Sequence, residues 1–182
     1  MSHLESLIAE YLEWQGYFVR RNTKVGRRTL GGWEMELDVV GFHPQSRSLV
    51  HYEPSIDAKG WEVREARYKK KFEAGRKYIF SELFPWLPRS TKLEQFAVFY
   101  NHPRGRDMIA GGQILSIDEL MAEIRGKVTN CGAMISNAIP ELYPLLRTIQ
   151  MSHAGYCRQV SLPAPTTDAK DAGLRKLKKA RS

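Results

Sequence analysis

The sequence predicts one α/β domain in which helices pack on both faces of a mixed β-sheet. Three observations predict it. Apolar residues recur every three or four positions in 4–14 and again in 61–83, as on one side of a helix. Residues 35–53 show the alternation and turn of a β-hairpin, and further strand-like runs follow the second helix. This order is typical of a mixed sheet rather than a strictly alternating, doubly wound fold.

The first helix is predicted over Leu4 to Trp14, and Gly16 is a suitable residue for its C-terminal end. Tyr17 to Val19 then form a short strand-like run. Residues 20–32 are polar, contain three glycines and predict either a hairpin or a flexible loop.

A hairpin is predicted next. Met35, Leu37 and Val39 alternate with acidic residues, as in a strand with one buried face, and 40–42 extend it. Turn-forming residues occupy 43–46, and a second strand is predicted over 49–53. Pro54 cannot donate to a ladder, so the strand must end, bulge or lie unpaired there.

The later elements begin with a long amphipathic helix over Trp61 to Leu83, which is rich in Lys and Arg. Strands are predicted at 96–100 and 113–117, separated by a loop at 102–107. Asp118 is predicted to cap a helix over 119–124, and a last helix is predicted over 139–149.

The charge balance indicates a polyanionic partner. The 182 residues carry a formal net charge of +8 with a pI near 9.6, and 42% of them are apolar, enough for one core. Residues 166–182 contain six Lys or Arg against two Asp. We therefore predict a domain over 1–162 and a basic, disordered tail over 163–182.

The cysteines and the hydropathy pattern indicate a location in the cytoplasm. Cys131 and Cys157 form neither a zinc motif nor a disulfide framework. No apolar run approaches the roughly 20 residues that span a bilayer, and no signal peptide is recognisable. Membrane association is not predicted.

Two carboxylates are the best candidates for chemistry. Asp38 lies on the polar face of the first hairpin strand and Glu53 near the end of the second, so the hairpin brings them together. Paired carboxylates are suitable ligands for Mg²⁺ or Mn²⁺. Glu36, two residues before Asp38, is either a third ligand or only a neighbour.

These residues resemble the core of the PD-(D/E)XK nuclease superfamily, which places an Asp on one strand and Glu-x-Lys on the next. The segments that carry the resemblance are Glu36-Leu37-Asp38-Val39-Val40 and Leu49 to Ser55. The opening helix, with Glu5, is similar to the archaeal Holliday-junction-resolvase branch, whose helical Glu joins the metal site. The resemblance implies a restriction-endonuclease-like fold, catalytic roles for Glu5, Asp38, Glu53 and Ser55, and metal binding by Asp38 and Glu53. A homodimer is consistent with it.

One position departs from the motif, because Ser55 stands where the family has its catalytic Lys. A neutral hydroxyl stabilises developing negative charge less well than an ammonium. Either the cation has moved, to Lys59 or to one of Lys69, Lys70 and Lys71, or catalysis is weakened. His51 shares the strand face of Glu53 and is a base, a ligand or a structural residue.

Two basic groups are candidates for contact with DNA phosphates. One is Arg27 and Arg28, in the loop before the carboxylate strand; the other is Lys69, Lys70 and Lys71 on the long helix. Both are equally consistent with a solvated surface.

The functional expectation is a Mg²⁺-dependent endonuclease acting on DNA. The alternative is a protein of the same fold that binds nucleic acid without cleaving it, which Ser55 favours. A third interpretation is an assembly subunit whose basic patch meets an acidic protein.

Overall fold

The sheet and helices are seen in a computed structural model that describes residues 2–132 and 138–153. The helices are α1 (His3–Trp14), α2 (Trp61–Tyr78), α3 (Ile117–Asn130) and α4 (Pro144–His153), and a π-helical turn, Ile79–Leu83, continues α2. The strands are β1 (Phe18–Arg27), β2 (Trp33–His43), β3 (Ser48–Ser55), β4 (Leu93–Phe99), β5 (Met108–Ile109) and β6 (Gly112–Ser116).

The six strands form one mixed sheet in the order β1-β2-β3-β4-β6-β5. β1, β2 and β3 are antiparallel neighbours, β4 runs parallel to β3, β6 runs parallel to β4, and β5 returns antiparallel to β6. The predicted α/β fold with a mixed sheet is therefore confirmed.

Helices cover both faces of this sheet. Val39 packs in a core cluster with residues of α1, α3 and α4, whereas Val40 packs in a second cluster with residues of α2 and the π-helical turn. Because side chains alternate along a strand, these two neighbours point to opposite faces. A third cluster, around Tyr68 and Phe72 of α2, extends the second face over β4 and β6.

The first helix forms where predicted, and a capping box begins it. The Ser2 hydroxyl accepts from the Glu5 backbone N–H, and the Glu5 carboxylate accepts from the Ser2 N–H. Leu7, Ile8, Tyr11 and Leu12 bury the predicted apolar stripe. The chain turns at Gly16, whose φ of 93° suits glycine.

The segment predicted as a short strand followed by a hairpin or loop is mostly strand. β1 pairs with β2 from Phe18↔Phe42 to Arg27↔Trp33, so only 28–32 remain for the turn. The strand was not predicted because its many cations hide the usual pattern. Exposed polar residues alternate mainly with half-buried residues, instead of with buried apolar ones.

Several later boundaries also differ from prediction. Ser116, not Asp118, caps α3, since its hydroxyl accepts from the Glu119 N–H in a second capping box. That helix extends to Asn130, beyond the predicted end. The two-residue strand β5 was not predicted, and α4 occupies Pro144–His153 instead of 139–149.

Some sequence predictions lie outside the described residues. They include Cys157, the domain boundary near 162 and the basic run over 170–181. Within residues 2–132 and 138–153, no helix combines the length and the apolar character needed to cross a membrane.

Candidate active site

The candidate site lies where β2 and β3 separate. Their ladder ends at Val39↔Tyr52, so the next opposed residues are Asp38 and Glu53. In place of a ladder bond, the backbone N–H of Asp38 donates to Oε1 of Glu53 at 3.2 Å. Pro54 follows and pairs with Val98 on the β4 side only, which suits a residue without an N–H. The end of the ladder thus brings the two predicted acids together.

Lys71 of α2 completes this group. Its Nζ lies 2.9 Å from Oδ2 of Asp38 and also forms an ion pair with Oε2 of Glu53. The side chains of Lys71 and Asp38 are each 13% exposed, and that of Glu53 is fully buried. Both carboxylates therefore converge on one ammonium in a mostly desolvated place.

Helix α2 is fixed above the strand by a buried hydrogen bond. Tyr68, one turn before Lys71, donates its hydroxyl to the backbone carbonyl of Glu53 at 2.9 Å. Phe72, the residue after Lys71, is fully buried against the sheet. These contacts determine where the Lys71 side chain emerges, so its approach to the acids follows from the packing of the helix.

The two acids differ in protonation because their surroundings differ. Burial, and then the negative charge of Glu53, raises the pKa of Asp38 to about 8. Burial opposes ionisation of Glu53 too, but the hydrogen bond from His51 and the charge of Lys71 outweigh it and lower the pKa of Glu53. Burial likewise opposes the charged form of Lys71, but the two acids outweigh it and raise the pKa of Lys71. Glu53 is therefore ionised at neutral pH, whereas Asp38 gains or loses its proton near pH 8.

His51 lies behind Glu53, away from solvent. Its Nε2 is 2.8 Å from Oε1 of Glu53, and both side chains have no exposed surface. A general base must reach its substrate, and this imidazole is enclosed by Phe72 and Gln95. The structure therefore places His51 as a partner of Glu53.

Ser55 is at the edge of the site and is engaged elsewhere. Its hydroxyl donates to Oδ2 of Asp57 at 2.9 Å, and Arg67 of α2 donates to the same oxygen at 2.6 Å. Lys59 is exposed, and its backbone N–H binds Asp57. Of the cations considered as a displaced motif Lys, Lys71 is the one that contacts the acids.

Glu5 approaches the same end of the sheet from the other face. Its carboxylate accepts from Nδ2 of Asn22 at 2.9 Å, and Asn22 stands opposite Asp38 in the β1–β2 register. Burial opposes its ionisation, but the bonds from Asn22 and Ser2 lower the pKa of Glu5. Glu36 is exposed opposite Lys24 and is not part of this group.

A cavity of about 680 Å³ is lined in part by Pro54 and Ser55, the two residues that follow Glu53. Glu5, Ser55, Asp57 and Arg67 contribute polar atoms to its wall, and apolar residues of α1, α3 and α4 contribute most of the rest. Glu5 and Ser55 therefore share one opening, whereas Asp38, Glu53 and Lys71 do not line it.

The predicted DNA contacts fall into two kinds. Arg27, Arg28, Lys69 and Lys70 are exposed, while Lys71 points into the acidic pair. Lys70 lines one depression with Arg67 and Lys71 and another with Arg28. Lys70 therefore lies between the exposed Arg28 and Lys71 of the site. The second depression also contains Glu34 and Glu73, so its charge is mixed.

A metal would have to be held by two protein carboxylates. In the described part of the chain, no three or more His, Cys, Asp or Glu side chains are grouped as a metal site. Asp38 and Glu53 do present oxygens to one cation, Lys71, and this number of carboxylates is typical for Mg²⁺, which keeps water and phosphate oxygens as its other ligands. The donor set is consistent with Mg²⁺ or Mn²⁺ if the lysine moves aside.

Sequence reasoning did not single out Asp57, Arg67, Asn22 or Gln95. A signal for Arg67 was present, because Arg64, Arg67 and Lys71 recur at three and four residues along α2 and share one side of it. Asn22 gave no signal, since its role depends on strand register.

Comparison with models of known protein families, with curated proteins and with solved structures gives no match to this chain.

Proposed function

We propose that this protein is a metal-dependent endonuclease that hydrolyses phosphodiester bonds in DNA. The observation that carries the proposal is the convergence of Asp38 and Glu53 on the Lys71 ammonium. Two acids and a lysine are the residue types of the PD-(D/E)XK motif that the sequence resembles. Here the lysine comes from α2 instead of from the position of Ser55.

Asp38 and Glu53 would hold the metal. Glu53 supplies a fixed negative charge, because its neighbours keep it ionised, and Asp38 supplies a second once it loses its proton. When bound, Mg²⁺ or Mn²⁺ would lower the pKa of a coordinated water and neutralise charge on the phosphate.

Lys71 would act on the substrate side of the acids. Its four-carbon stem allows the ammonium to leave the carboxylates and reach a phosphate oxygen when a divalent cation takes over their charge. There it would stabilise the negative charge that develops on the phosphate. This is the role that the motif Lys has in the family, and a neutral Ser55 would fill it less well.

Lys70, Arg28 and Lys69 would hold the DNA backbone. All three are exposed, Lys70 lines one depression with Lys71 and another with Arg28, and the chain has a net charge of +8. Contacts of this kind give affinity without sequence preference and weaken as salt is added. The proposal therefore does not require base recognition.

A cleavage assay tests the proposal. Supercoiled, linear, branched and single-stranded DNA would be incubated with the protein in Mg²⁺, Mn²⁺ or EDTA, beside Asp38→Asn, Glu53→Gln and Lys71→Met. Lys92→Met, a change at an exposed lysine that precedes β4, is the matched control. We expect metal-dependent nicking by the natural and control proteins and a loss of at least 100-fold, in order of magnitude, in the three site variants. Equal cleavage by Asp38→Asn would refute the site.

The second candidate is a protein that binds DNA without cleaving it. Two features favour it: Ser55 at the motif position, and the contacts by which Lys71 already occupies the oxygens of both acids. DNA binding with no cleavage on any substrate or metal, and binding unchanged in Asp38→Asn, would establish this alternative.

A further inference from the structure

A chain of hydrogen bonds, buried beyond its first member, connects the exposed Arg76 to Glu53. Arg76 of α2 donates to Oε1 of Gln95 at 2.7 Å. Nε2 of Gln95 donates to the Phe72 carbonyl at 3.0 Å and lies 3.1 Å from Nδ1 of His51. Nε2 of His51 in turn lies 2.8 Å from Oε1 of Glu53. Gln95, on β4, is thus the link between the helix and the imidazole.

The orientation of the Gln95 amide is determined by two independent partners. Arg76 has only N–H groups to offer, so the atom it contacts must be the amide oxygen. The Phe72 carbonyl can only accept, so the atom it contacts must be the amide nitrogen. A flipped amide would lose both bonds.

This orientation determines the tautomer of His51. The Gln95 nitrogen can only donate, so Nδ1 of His51 must accept and carries no proton. The ring proton is therefore on Nε2, which donates it to Oε1 of Glu53. The same carboxylate oxygen accepts the backbone N–H of Asp38, leaving Oε2 to face Lys71.

Helix α2 packs closely over the ring of His51. A Cβ at Gly75 would lie 2.6 Å from Nδ1 of His51 and 2.8 Å from Nε2 of Gln95, so the backbone of α2 closes directly over the hydrogen bond. His51 has no exposed surface, and Phe72 packs edge-on against its ring.

We propose that His51, held as the Nε2–H tautomer by Gln95, is a positioning residue that fixes the Glu53 carboxylate with Oε2 toward the site. This inference rests on the proposed function, because it treats Glu53 as a metal ligand. It assigns His51 neither a ligand nor a base role. Gln95 and Arg76, which no motif includes, become parts of the support for the site.

The tautomer is tested directly by NMR. Long-range ¹H–¹⁵N spectra of the full chain with labelled histidine report the protonation of each ring nitrogen, and His51→Gln identifies the signal among the five histidines. We expect a pyrrole-like Nε2 and a pyridine-like Nδ1. In Gln95→Glu, where a carboxylate replaces the donor, this pattern should change, whereas Gln113→Glu, an exposed change on β6, should leave it intact. A proton on Nδ1 in the natural protein would overturn the inference.

The positioning role is tested by Mn²⁺ binding, measured by titration calorimetry without DNA. His51→Leu removes the donor and should weaken Mn²⁺ binding by on the order of 10- to 100-fold. His51→Gln retains a donor for Glu53 and an acceptor for Gln95 and should restore most of the affinity. Urea unfolding identifies any variant that fails to fold. If His51→Leu does not fold, the Mn²⁺ affinity of Gln95→Glu is compared with that of the natural protein instead.

The outcomes separate the two proposals. Mn²⁺ binding by the natural protein with equal affinity in folded His51→Leu overturns the positioning role and leaves the proposed function standing. No Mn²⁺ binding by the natural protein overturns both. Weaker Mn²⁺ binding by folded His51→Leu, with recovery of the affinity in His51→Gln, supports both proposals.

Discussion

Lys71 and Asp38 meet across the space between α2 and β2, with Nζ 2.9 Å from Oδ2, although 33 positions separate them in the chain. The same ammonium contacts Glu53 on the neighbouring strand. One cation from the helix is therefore shared by two acids from the hairpin. A bound metal and Lys71 would therefore compete for the same carboxylate oxygens.

Replacing Lys71 by Met should have opposite effects on metal binding and on cleavage. Without the ammonium, Asp38 and Glu53 lose their competing partner, so Mn²⁺ should bind more tightly. The comparison is made above the pH at which Asp38 ionises in each protein, because Lys71 also lowers the pKa of Asp38. Cleavage should fall, because no cation remains to act on the phosphate. Titration calorimetry and the DNA assay measure the two effects on one preparation. Weaker Mn²⁺ binding would show that Lys71 supports the acids instead of competing with the metal.

The same variant should be less stable when no metal is present. Removing one member of a buried ion pair costs about 3 kcal/mol, because the remaining charge is left unpaired. Urea unfolding in EDTA should show this loss, and Mn²⁺ should restore a large part of it. Lys92→Met removes an exposed lysine and should change the free energy of unfolding by at most about 0.5 kcal/mol. A loss that Mn²⁺ does not reverse would contradict a shared metal site.

The raised pKa of Asp38 predicts a pH dependence of stability. The folded protein keeps a proton up to about pH 8 that the unfolded chain releases near pH 4. Its contribution is therefore fully present below pH 4 and is lost as the pH rises through 8. Urea unfolding in EDTA between pH 5 and 9 should show this decline, and Asp38→Asn should flatten it. Glu36→Gln, an exposed change on the same strand, should retain it.

Metal binding should depend on the same Asp38 proton. The Mn²⁺ affinity should rise with pH over the range in which the free energy of unfolding falls. A divalent cation binds the ionised carboxylate, so the apparent Mn²⁺ affinity should rise from pH 6 to about pH 8 and then level off. The heat of binding should depend on the ionisation enthalpy of the buffer, since a proton is released. An affinity independent of pH over this range would show that Asp38 is already ionised.

Local patterns were sufficient to predict that Asp38 and Glu53 lie close together, but not which residues contact them. Alternation and turn residues placed Asp38 and Glu53 on adjacent strands of a hairpin, because register follows from the period of two. Pro54 predicted a change in strand pairing at this point, but its parallel pairing with Val98 of β4 could not be predicted. Pairing between strands distant in the sequence leaves no local signal.

Lys71 shows how helix packing determines a role that composition conceals. Three consecutive lysines, 69 to 71, are equivalent in charge, so their composition predicts one shared role. The packing of Tyr68 and Phe72 distinguishes them, because it turns Lys71 toward the sheet and leaves Lys69 and Lys70 exposed. A closer use of the helical period, with Tyr68, Phe72 and Gly75 as the buried side, would have placed Lys71 at its border.

Lys69 and Lys70 should contribute to DNA affinity through phosphate contacts. The double change to Gln should weaken binding to DNA of any sequence and reduce the slope of log affinity against log salt by about one to two. Binding measured by fluorescence anisotropy at several salt concentrations, with metal replaced by EDTA, gives both quantities. The matched control is Lys92→Gln. An unchanged slope would show that the exposed side of α2 is only a solvated surface.

Two glycines in helices should respond in opposite directions to alanine. Alanine normally stabilises an exposed helix position by up to about 1 kcal/mol relative to glycine. Gly126 of α3 should follow this rule, because a methyl group added there would have no neighbour within 4 Å among the described residues outside its own stretch of helix. At Gly75 the same methyl group would lie 2.6 Å from His51 Nδ1, so Gly75→Ala should destabilise the fold and weaken Mn²⁺ binding. Urea unfolding and titration calorimetry of both variants measure the contrast. A stabilised Gly75→Ala with normal Mn²⁺ binding would mean that α2 packs more loosely over His51 than these distances indicate.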